Sequence, residues 1–417
     1  MNRFLDIRSY LKAPALAFRS LRYRNFRYFF FGQFISLPGV WIQNIALGWL
    51  VYRLTDSELM LGVVGFAGQI PSLLLTPIAG VFADRLAKRR ILIITQSMSM
   101  FIALGMAWLI LSGRIEVWHI VLSAVLNGMS VAFDTPFRHA FLVDMIPNRE
   151  DLPNAIALNS TLFNSARFIG PPVGGLLIAW GGEGFCFLVN GLSYIAVILS
   201  LFAMKLAPFI ARVSQTTIFS DLYSGLRYAH RTKHIRILLI MVSLTSLIGL
   251  PFQVFMPVFA QEVFLGNAQT LGYLTGSIGA GALTGAFFLA SRRTIKSIPN
   301  IIFISACMFS IGLISFSLSS SLFFSLMILT VTGFGMVVQF ASSNTIIQTV
   351  VDDNMRGRVM ALYSMSFLGI TPLGSLLTGA LAEWIGAPAT LTITGSICLM
   401  AALWFFGKKD TIRKIIA

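Results

Sequence analysis

Charged residues are scarce in this sequence. Asp and Glu number 16 in 417 residues, and charged residues of both signs make up 11% of the chain, against 56% hydrophobic residues. A soluble globular domain carries about 25% charged residues, so the composition excludes an ordinary soluble protein. Runs of about 20 apolar residues recur along the chain, each long enough to cross roughly 30 Å of hydrocarbon. The sequence therefore predicts an all-α membrane protein that crosses the bilayer many times.

Cysteine and histidine are also rare. The three cysteines, Cys186, Cys307 and Cys398, lie in apolar surroundings without CxxC or metal-ligand spacing, which predicts small core residues. The four histidines form no HExxH motif, and no nucleophile constellation is present. We therefore expect no metal, no cofactor and no enzymatic activity. The short alternating segments that a membrane barrel needs are absent as well.

Basic residues are abundant but unevenly placed. We count twelve apolar spans, and all of the 31 Lys and Arg residues except Arg53, Arg114 and Arg167 fall in segments on one side of them or, like Arg138, in the half of a span next to that side. Such a bias marks the cytoplasmic side of a membrane protein, so both termini are predicted to be cytoplasmic. The net charge of +15 thus reflects orientation and does not indicate a nucleic-acid partner.

A charged turn follows the second span. It cannot lie in hydrocarbon, and its basic residues place it on the cytoplasmic side. The positions that matter are Gly80, Asp84, Arg85, Lys88 and Arg89. They resemble the signature loop of the major facilitator superfamily, Gly-x-x-x-Asp-Arg/Lys-x-Gly-Arg-Lys/Arg, with Ala87 in place of the second glycine.

The resemblance implies that this loop is a conformational switch. Asp84 lies at a helix end, where it can accept hydrogen bonds from the N-terminus of a neighbouring helix. We expect it to meet the start of the eleventh span near Arg356 and to stabilise the outward-facing state. Lys88 is expected to pair with Asp144, and Gly80 to let a neighbouring helix approach closely.

The fifth span carries a second glycine and proline pattern. Its positions are Gly170, Pro171, Gly174 and Gly175, preceded by Ala166. Glycines at this spacing give a flat face for tight helix packing, and the prolines bend the helix. The pattern resembles the antiporter motif of the same superfamily, Gly-x-x-x-Gly-Pro-x-x-Gly-Gly, with Ala166 at the first glycine. In that family the motif accompanies export.

Three charges lie within the spans. Asp134 is near the bilayer midplane, Arg138 is one turn below it on the same face, and Arg167 lies in the fifth span. Intramembrane charges often mark substrate or proton sites, so Asp134 is a candidate coupling carboxylate. The alternative is a structural Asp134–Arg138 pair. Arg167 requires a carboxylate or an anionic substrate as its partner, and Asp134 is one candidate.

Uncharged polar residues in the spans must face protein or a water-filled cavity. We assign Gln33, Gln43, Asn44, Gln339 and Asn344 to a central cavity, with hydrogen bonding between helices as the competing interpretation. The second half has no charge at its tenth span. Any charge-dependent step is therefore expected in the first half.

The chain contains an internal repeat. A shift of 204 residues aligns Gly170 with Gly374, Gly175 with Gly379 and Gly182 with Gly386, and it also aligns two tryptophans. This indicates two related halves of six helices each, the parallel repeat of the major facilitator fold. The predicted organisation is a basic N-terminal segment 1–27, a bundle 28–206, a cytoplasmic linker 207–236, a bundle 237–407 and a tail 408–417.

The resemblance to the major facilitator superfamily covers the whole chain. Within the superfamily, the chain also resembles, more loosely, the bacterial branch that contains enterobactin and macrolide exporters. It implies a monomeric, proton-coupled exporter of a small amphipathic molecule, a siderophore or a drug, that works by alternating access in the bacterial inner membrane. The partners implied are the substrate, protons and membrane lipids. A lysophospholipid flippase, with a lateral apolar opening, is the alternative.

Overall fold

The structure, a computed structural model, describes residues 18–83, 85–205, 218–292, 297–352 and 355–416. The described chain is almost entirely helical. Its helices are α1 (Arg24–Thr55), α2 (Glu58–Ala83), α3 (Lys88–Leu111), α4 (Val117–Asp144), α5 (Leu152–Ala203), α6 (Ile218–Arg231), α7 (Lys233–Val263), α8 (Ala268–Ala290), α9 (Ile298–Ser317), α10 (Leu322–Val350), α11 (Arg356–Ile385), α12 (Ala387–Phe406) and α13 (Lys409–Ile416).

Eleven helical segments of the described chain are long and apolar enough to cross a membrane. One of them contains two crossings, because α5 turns at Gly182, whose φ of 75° lies in the left-handed region that glycine adopts without strain. The predicted twelve-span, all-helical fold class is therefore confirmed, with the fifth and sixth spans joined through a turn at Gly182.

The repeat is visible in the backbone. Gly386, the counterpart of Gly182 in the second half, also has a left-handed φ, of 80°. Trp180 and Trp384, two residues before each turn, are 78% and 89% exposed, as expected of aromatic residues at a membrane interface. The two halves thus make the same turn at the same place, which supports the predicted division of the chain, although the exact boundaries stay a prediction.

The bundle has two ends of opposite charge. We call the end where α1 stops and α2 begins the acidic end, and the opposite end the basic end. The acidic end carries Asp56, Glu58, Glu183, Glu262 and Glu383. The basic end carries the turn between α2 and α3 and the linker helix α6, whose glycine Gly225 packs against Arg358 at the start of α11.

The two halves contact each other through glycines near the acidic end. A Cβ atom added to Gly62 of α2 would lie 2.5 Å from the Ser375 carbonyl oxygen of α11, and one added to Gly175 of α5 would lie 2.5 Å from the Ala268 carbonyl oxygen of α8. Distances this short mean that the helix backbones touch. At the basic end, a Cβ atom on Gly80 or Gly357 would meet no described atom within 4 Å.

Gly80 was expected to allow a close helix approach, and in this conformation it does not. Helices α2 and α11 pack against each other at the acidic end, whereas at the basic end an added Cβ atom on Gly80 or Gly357 meets no described atom of a neighbouring element. The structure therefore has its acidic end closed.

Close packing within one half leads to a first prediction. In the second half, a Cβ atom on Gly281 of α8 would lie 1.9 Å from the Thr330 carbonyl oxygen of α10 and 2.7 Å from the Phe334 nitrogen. We expect Gly281→Ala to lower the free energy of unfolding by about 1–3 kcal/mol, because overpacking forces the two backbones apart. Thermal unfolding of the detergent-purified protein would show a lower Tm and a lower monodisperse yield.

Gly105→Ala is the matched control. Gly105 lies in the interior of α3, and a Cβ atom added there would meet no described atom within 4 Å. Alanine is the better helix former by roughly 0.5–1 kcal/mol, so this variant is expected to keep or raise the Tm. A Tm for Gly281→Ala that equals that of Gly105→Ala would contradict the packing interpretation.

Candidate functional site

A central cavity of about 850 Å³ lies between the helices. Its wall combines apolar and aromatic side chains with amides and hydroxyls, the mixed lining typical of a small-molecule site. Most lining residues belong to the first half. The second half contributes Gln253, Val254, Pro257, Leu271 and Thr275.

Asp134 of α4 lines this cavity and is only 5% exposed. Its Oδ2 atom lies 2.7 Å from the Arg138 guanidinium, one helical turn away. Its Oδ1 atom accepts hydrogen bonds from Gln96 Nε2 at 2.7 Å and from Thr95 Oγ1 at 3.2 Å, both on α3. The carboxylate thus has Arg138 and Gln96 as donors, while Thr95 shares its one hydroxyl proton with the Leu92 carbonyl oxygen, which lies 3.1 Å away.

The same two helices share a second polar contact one turn further on. The hydroxyls of Ser99 and Ser130 lie 2.8 Å apart, and Ser130 also donates to the Thr95 carbonyl oxygen at 2.8 Å. These contacts fix the register of α3 against α4. These contacts hold Gln96 in hydrogen-bonding distance of Asp134. A substitution that disturbs them on either helix will therefore change the surroundings of the carboxylate.

Arg138 and His139 are the basic groups of the cavity wall. Arg138 is committed to Asp134, whereas the His139 ring is exposed to the cavity and forms no ion pair among the described contacts. If Arg138 turns toward a ligand, Asp134 keeps Thr95 and Gln96 as donors. The site can therefore present Arg138 to an anionic group without leaving a buried carboxylate unpaired.

Arg167 differs from the expectation. It is not among the cavity-lining residues, and the described ion pair of Asp134 is with Arg138. The Arg167 guanidinium lies over the Trp41 ring, 5.5 Å from its centroid, a cation–π contact between α5 and α1. Trp41 itself lines the cavity, so Arg167 lies behind the wall and supports it.

The neutral polar candidates divide into two groups. Gln33 and Asn44 line the cavity. Gln43 instead accepts a hydrogen bond from Asn190 at 2.6 Å, which joins α1 to α5. Gln339 is fully buried and donates to Thr245 at 2.9 Å, and Asn344 accepts from Gln348 on its own helix. For these three residues the interpretation as contacts within or between helices fits the structure better than the cavity assignment.

The signature loop is partly visible. Lys88 Nζ lies 2.7 Å from Asp144 Oδ2, so the expected pair between the start of α3 and the end of α4 is present. Arg89 donates to the Phe202 carbonyl oxygen at 2.9 Å and thereby binds the C-terminal end of α5. Asp84 lies outside the described residues, so its predicted contact with α11 stays a prediction.

The glycine pattern of α5 serves two different contacts. Gly170 and Gly174 pack against α1 of their own half, at Trp41 and Ile42. Gly175 packs against α8 of the other half, and Gly272 of α8 packs against α5, where an added Cβ atom would lie 2.8 Å from the Pro171 carbonyl oxygen. The pattern therefore lies at the junction between the halves.

Several cavity residues were missed by the sequence reasoning. They are Trp41, Gln69, Gln96, Asn127, His139 and Asn164. The rule that selected Gln33, that a polar residue within a span faces protein or a cavity, applies equally to Gln69 and Gln96. Trp41 carries no such signal, because an aromatic residue in a span looks the same whether it faces lipid, protein or a cavity.

Known proteins resemble this chain along nearly its full length. It is 29% identical to the staphyloferrin A transporter of Staphylococcus aureus, with 93% of this chain and 97% of that protein covered. It is 25% identical to the multidrug efflux pump Tap of Mycolicibacterium fortuitum, with 86% and 90% covered. It is 22% identical to macrolide efflux protein A of Streptococcus pyogenes, with 92% and 96% covered.

Solved structures share the fold. A bacterial homologue of the human lysosomal transporter Spinster, in an inward-facing and unoccupied conformation, matches with a TM-score of 0.71 at 13% identity over 95% of this chain and 98% of that one. The nucleoside transporter NupG matches with a TM-score of 0.70 at 14% identity over 92% of this chain and 98% of NupG.

The family model described as "transmembrane secretion effector" matches residues 15–413. The relatives above are described as a transporter and two efflux proteins, not as enzymes. This chain therefore belongs to the transmembrane secretion effector family, within the major facilitator superfamily of membrane transporters.

Proposed function

We propose that this protein is a proton-coupled exporter that moves a small amphipathic molecule across the bacterial inner membrane by alternating access. The observation that carries the proposal is the cavity of about 850 Å³ with Asp134 in its wall, inside a fold whose halves touch at one end and are apart at the other. A buried carboxylate beside a cavity is the arrangement that intramembrane proton sites use.

Asp134 and Arg138 supply the coupling step. Without substrate, Arg138 holds the Asp134 carboxylate at 2.7 Å, as in this structure. The deprotonated carboxylate then binds a hydrogen-bond donor or cationic group of the substrate, and protonation of Asp134 removes the charge that holds this group. Proton and substrate thus compete for one carboxylate, which is the requirement for antiport.

The substrate is proposed to be a siderophore or a drug. The relatives are described as transporters of staphyloferrin A, of multiple drugs and of macrolides. The cavity wall suits such molecules, because it combines Arg138 and His139 with amides and with the apolar surfaces of Trp41 and Phe163. A lysophospholipid flippase would instead need an apolar groove open to lipid beside a basic head-group site, so lysophospholipid is included as a test substrate.

The Asp134 assignment gives a direct prediction. Purified protein in proteoliposomes with an imposed pH gradient would be tested with labelled staphyloferrin A, a macrolide and a lysophospholipid. We expect Asp134→Asn to reduce gradient-driven accumulation of the accepted substrate to the level of protein-free vesicles. Exchange of substrate between the two sides is expected to remain measurable, because the amide keeps an acceptor oxygen for the substrate but takes up no proton.

Glu183→Gln is the control, since Glu183 pairs with Arg53 at 2.7 Å within the first half and does not line the cavity. It is expected to transport like the unaltered protein. The coupling role is wrong if Asp134→Asn still accumulates substrate against a gradient with unchanged pH dependence. Asp134 is then only the structural partner of Arg138.

The loop gives a separate prediction. We propose that, when the basic end closes, Asp84 contacts the start of α11 and stabilises the state open at the acidic end. Asp84→Asn is expected to shift the population toward the state open at the basic end and to slow transport, with little loss of expression. Cysteine accessibility of the cavity from each side of the vesicle membrane measures the shift.

Asp410→Asn, at an exposed carboxylate of α13, serves as the control for charge removal. It is expected to change neither accessibility nor transport. Normal transport by Asp84→Asn would show that the loop is a basic cytoplasmic turn without a switching role.

A further inference from the structure

Helices α2 and α11 form an antiparallel pair that joins the two halves. The two helices pack closely at the acidic end and near the middle, but not at the glycines of the basic end. A Cβ atom on Gly62 would lie 3.0 Å from Gly379 Cα near the acidic end, and one on Gly369 would lie 2.4 Å from the Leu73 side chain nearer the middle. At the basic end Gly80 and Gly357 meet no described atom within 4 Å.

A carboxylate of the second half caps the first turn of α2 at the acidic end. Glu383 of α11 accepts hydrogen bonds on one oxygen from Ser57 Oγ at 2.9 Å and from the Leu59 N–H at 3.0 Å. Ser57 in turn accepts from the Met60 N–H at 3.2 Å. A negative charge at a helix N-terminus satisfies unpaired N–H groups and interacts favourably with the helix dipole.

A second bridge lies beside the first. The hydroxyl of Tyr52, near the end of α1, donates a hydrogen bond to Glu262 at the end of α7. Tyr52 is 1% exposed, so its hydroxyl is fixed by the surrounding packing. Between the two bridges Asp56 turns the chain with a left-handed φ of 48°, which brings the end of α1 and the start of α2 into one strip facing the second half.

We propose that Glu383 and Glu262, with their partners Ser57, Leu59 and Tyr52, form a latch that holds the acidic end closed. We call these five residues the acidic-end latch. Every bond in it joins one half to the other, so each bond breaks when the halves separate at that end. The latch therefore stabilises the conformation seen here relative to the one open at the acidic end.

The latch and the proposed Asp84 contact are reciprocal. In each, an acidic residue at the end of one helix of the pair meets the N-terminus of the other helix, at opposite ends of the same pair. The two caps cannot form together if one end opens as the other closes. This inference goes beyond the proposed function, because the latch sets the conformational balance whatever the cargo or the coupling ion.

Distance measurements between spin labels test the latch without any substrate. The labels go on Ser112→Cys in the first half and Ser320→Cys in the second, both exposed at the acidic end, in protein whose three native cysteines are replaced by alanine. In lipid nanodiscs we expect Glu383→Ala to raise the ratio of the long-distance to the short-distance population by roughly two- to fivefold, the range for an exposed charge at a helix N-terminus. Glu383→Gln keeps an acceptor oxygen and is expected to give a smaller shift.

Tyr52→Phe removes the second bridge and is expected to shift the same ratio by roughly two- to tenfold, the range for one hydrogen bond. The two bridges share no hydrogen-bond partner, so the double variant is expected to shift the ratio further than either single variant. Ser57→Ala, which leaves both carboxylates in place, provides a further variant with a smaller shift in the same direction.

Glu183→Gln is the matched control, because it removes a carboxylate of the acidic end whose partner Arg53 lies in the same half. It is expected to leave the ratio unchanged. The latch is refuted if Glu383→Ala and Tyr52→Phe leave the ratio at the unaltered value, or if Glu183→Gln shifts it equally. A failure of the Asp134 proposal leaves this measurement untouched, since no substrate or pH gradient enters it.

Discussion

The site depends on one requirement, that a carboxylate inside the membrane must keep hydrogen-bond donors around it. Asp134 meets it with Arg138 on its own helix and with Thr95 and Gln96 on α3. The requirement fixes how α3 packs on α4, because a small slide of either helix would remove two donors. It also fixes the wall of the cavity, since the face of α4 that carries Asp134 is the face that looks inward.

The two halves share a backbone and differ in chemistry. On α4 the first half carries Asp134, Arg138 and His139, whereas α10 carries no charged residue. Ser342 and Ser343 of α10 are fully buried, and α10 contributes nothing to the cavity wall. Among the described cavity-lining residues, the charged side chains belong to the first half, and the second half contributes neutral ones. This division follows from physical cost, because each intramembrane charge needs its own set of donors.

The closest contacts between the two halves involve backbone atoms and few large side chains. Its closest approaches are backbone against backbone at glycines, as at Gly62 with Gly379 and Gly175 with Gly272. Such surfaces are flat and pack well, yet they part without withdrawing large side chains from holes. The polar bridges of the acidic-end latch lie at the rim, where their groups can exchange protein partners for water. The proposed alternating access requires two packings of moderate difference in free energy, and a contact of this kind suits that requirement.

The sequence by itself determined three features of the fold. Hydropathy gave the number of crossings, glycine spacing gave the repeat, and local charge gave the loop between α2 and α3. It also identified Asp134 with Arg138, since they are one turn apart on one helix. It left open whether Gln43 and Gln339 face the cavity, and it left Arg167 with two candidate partners, Asp134 or an anionic substrate, where the structure shows a contact with Trp41. Those outcomes depend on Asn190, Thr245 and Trp41, which are distant in sequence.

Only the tertiary structure decided which end of the bundle is closed and which residues bridge it. Glu383 reaches Ser57 across more than three hundred residues of sequence, and no periodicity or motif links the two. The physical reason is that a polar residue in a span has several acceptable partners, all of which satisfy the same need. The choice among them is made by the rotation and approach of whole helices, which a local pattern does not contain.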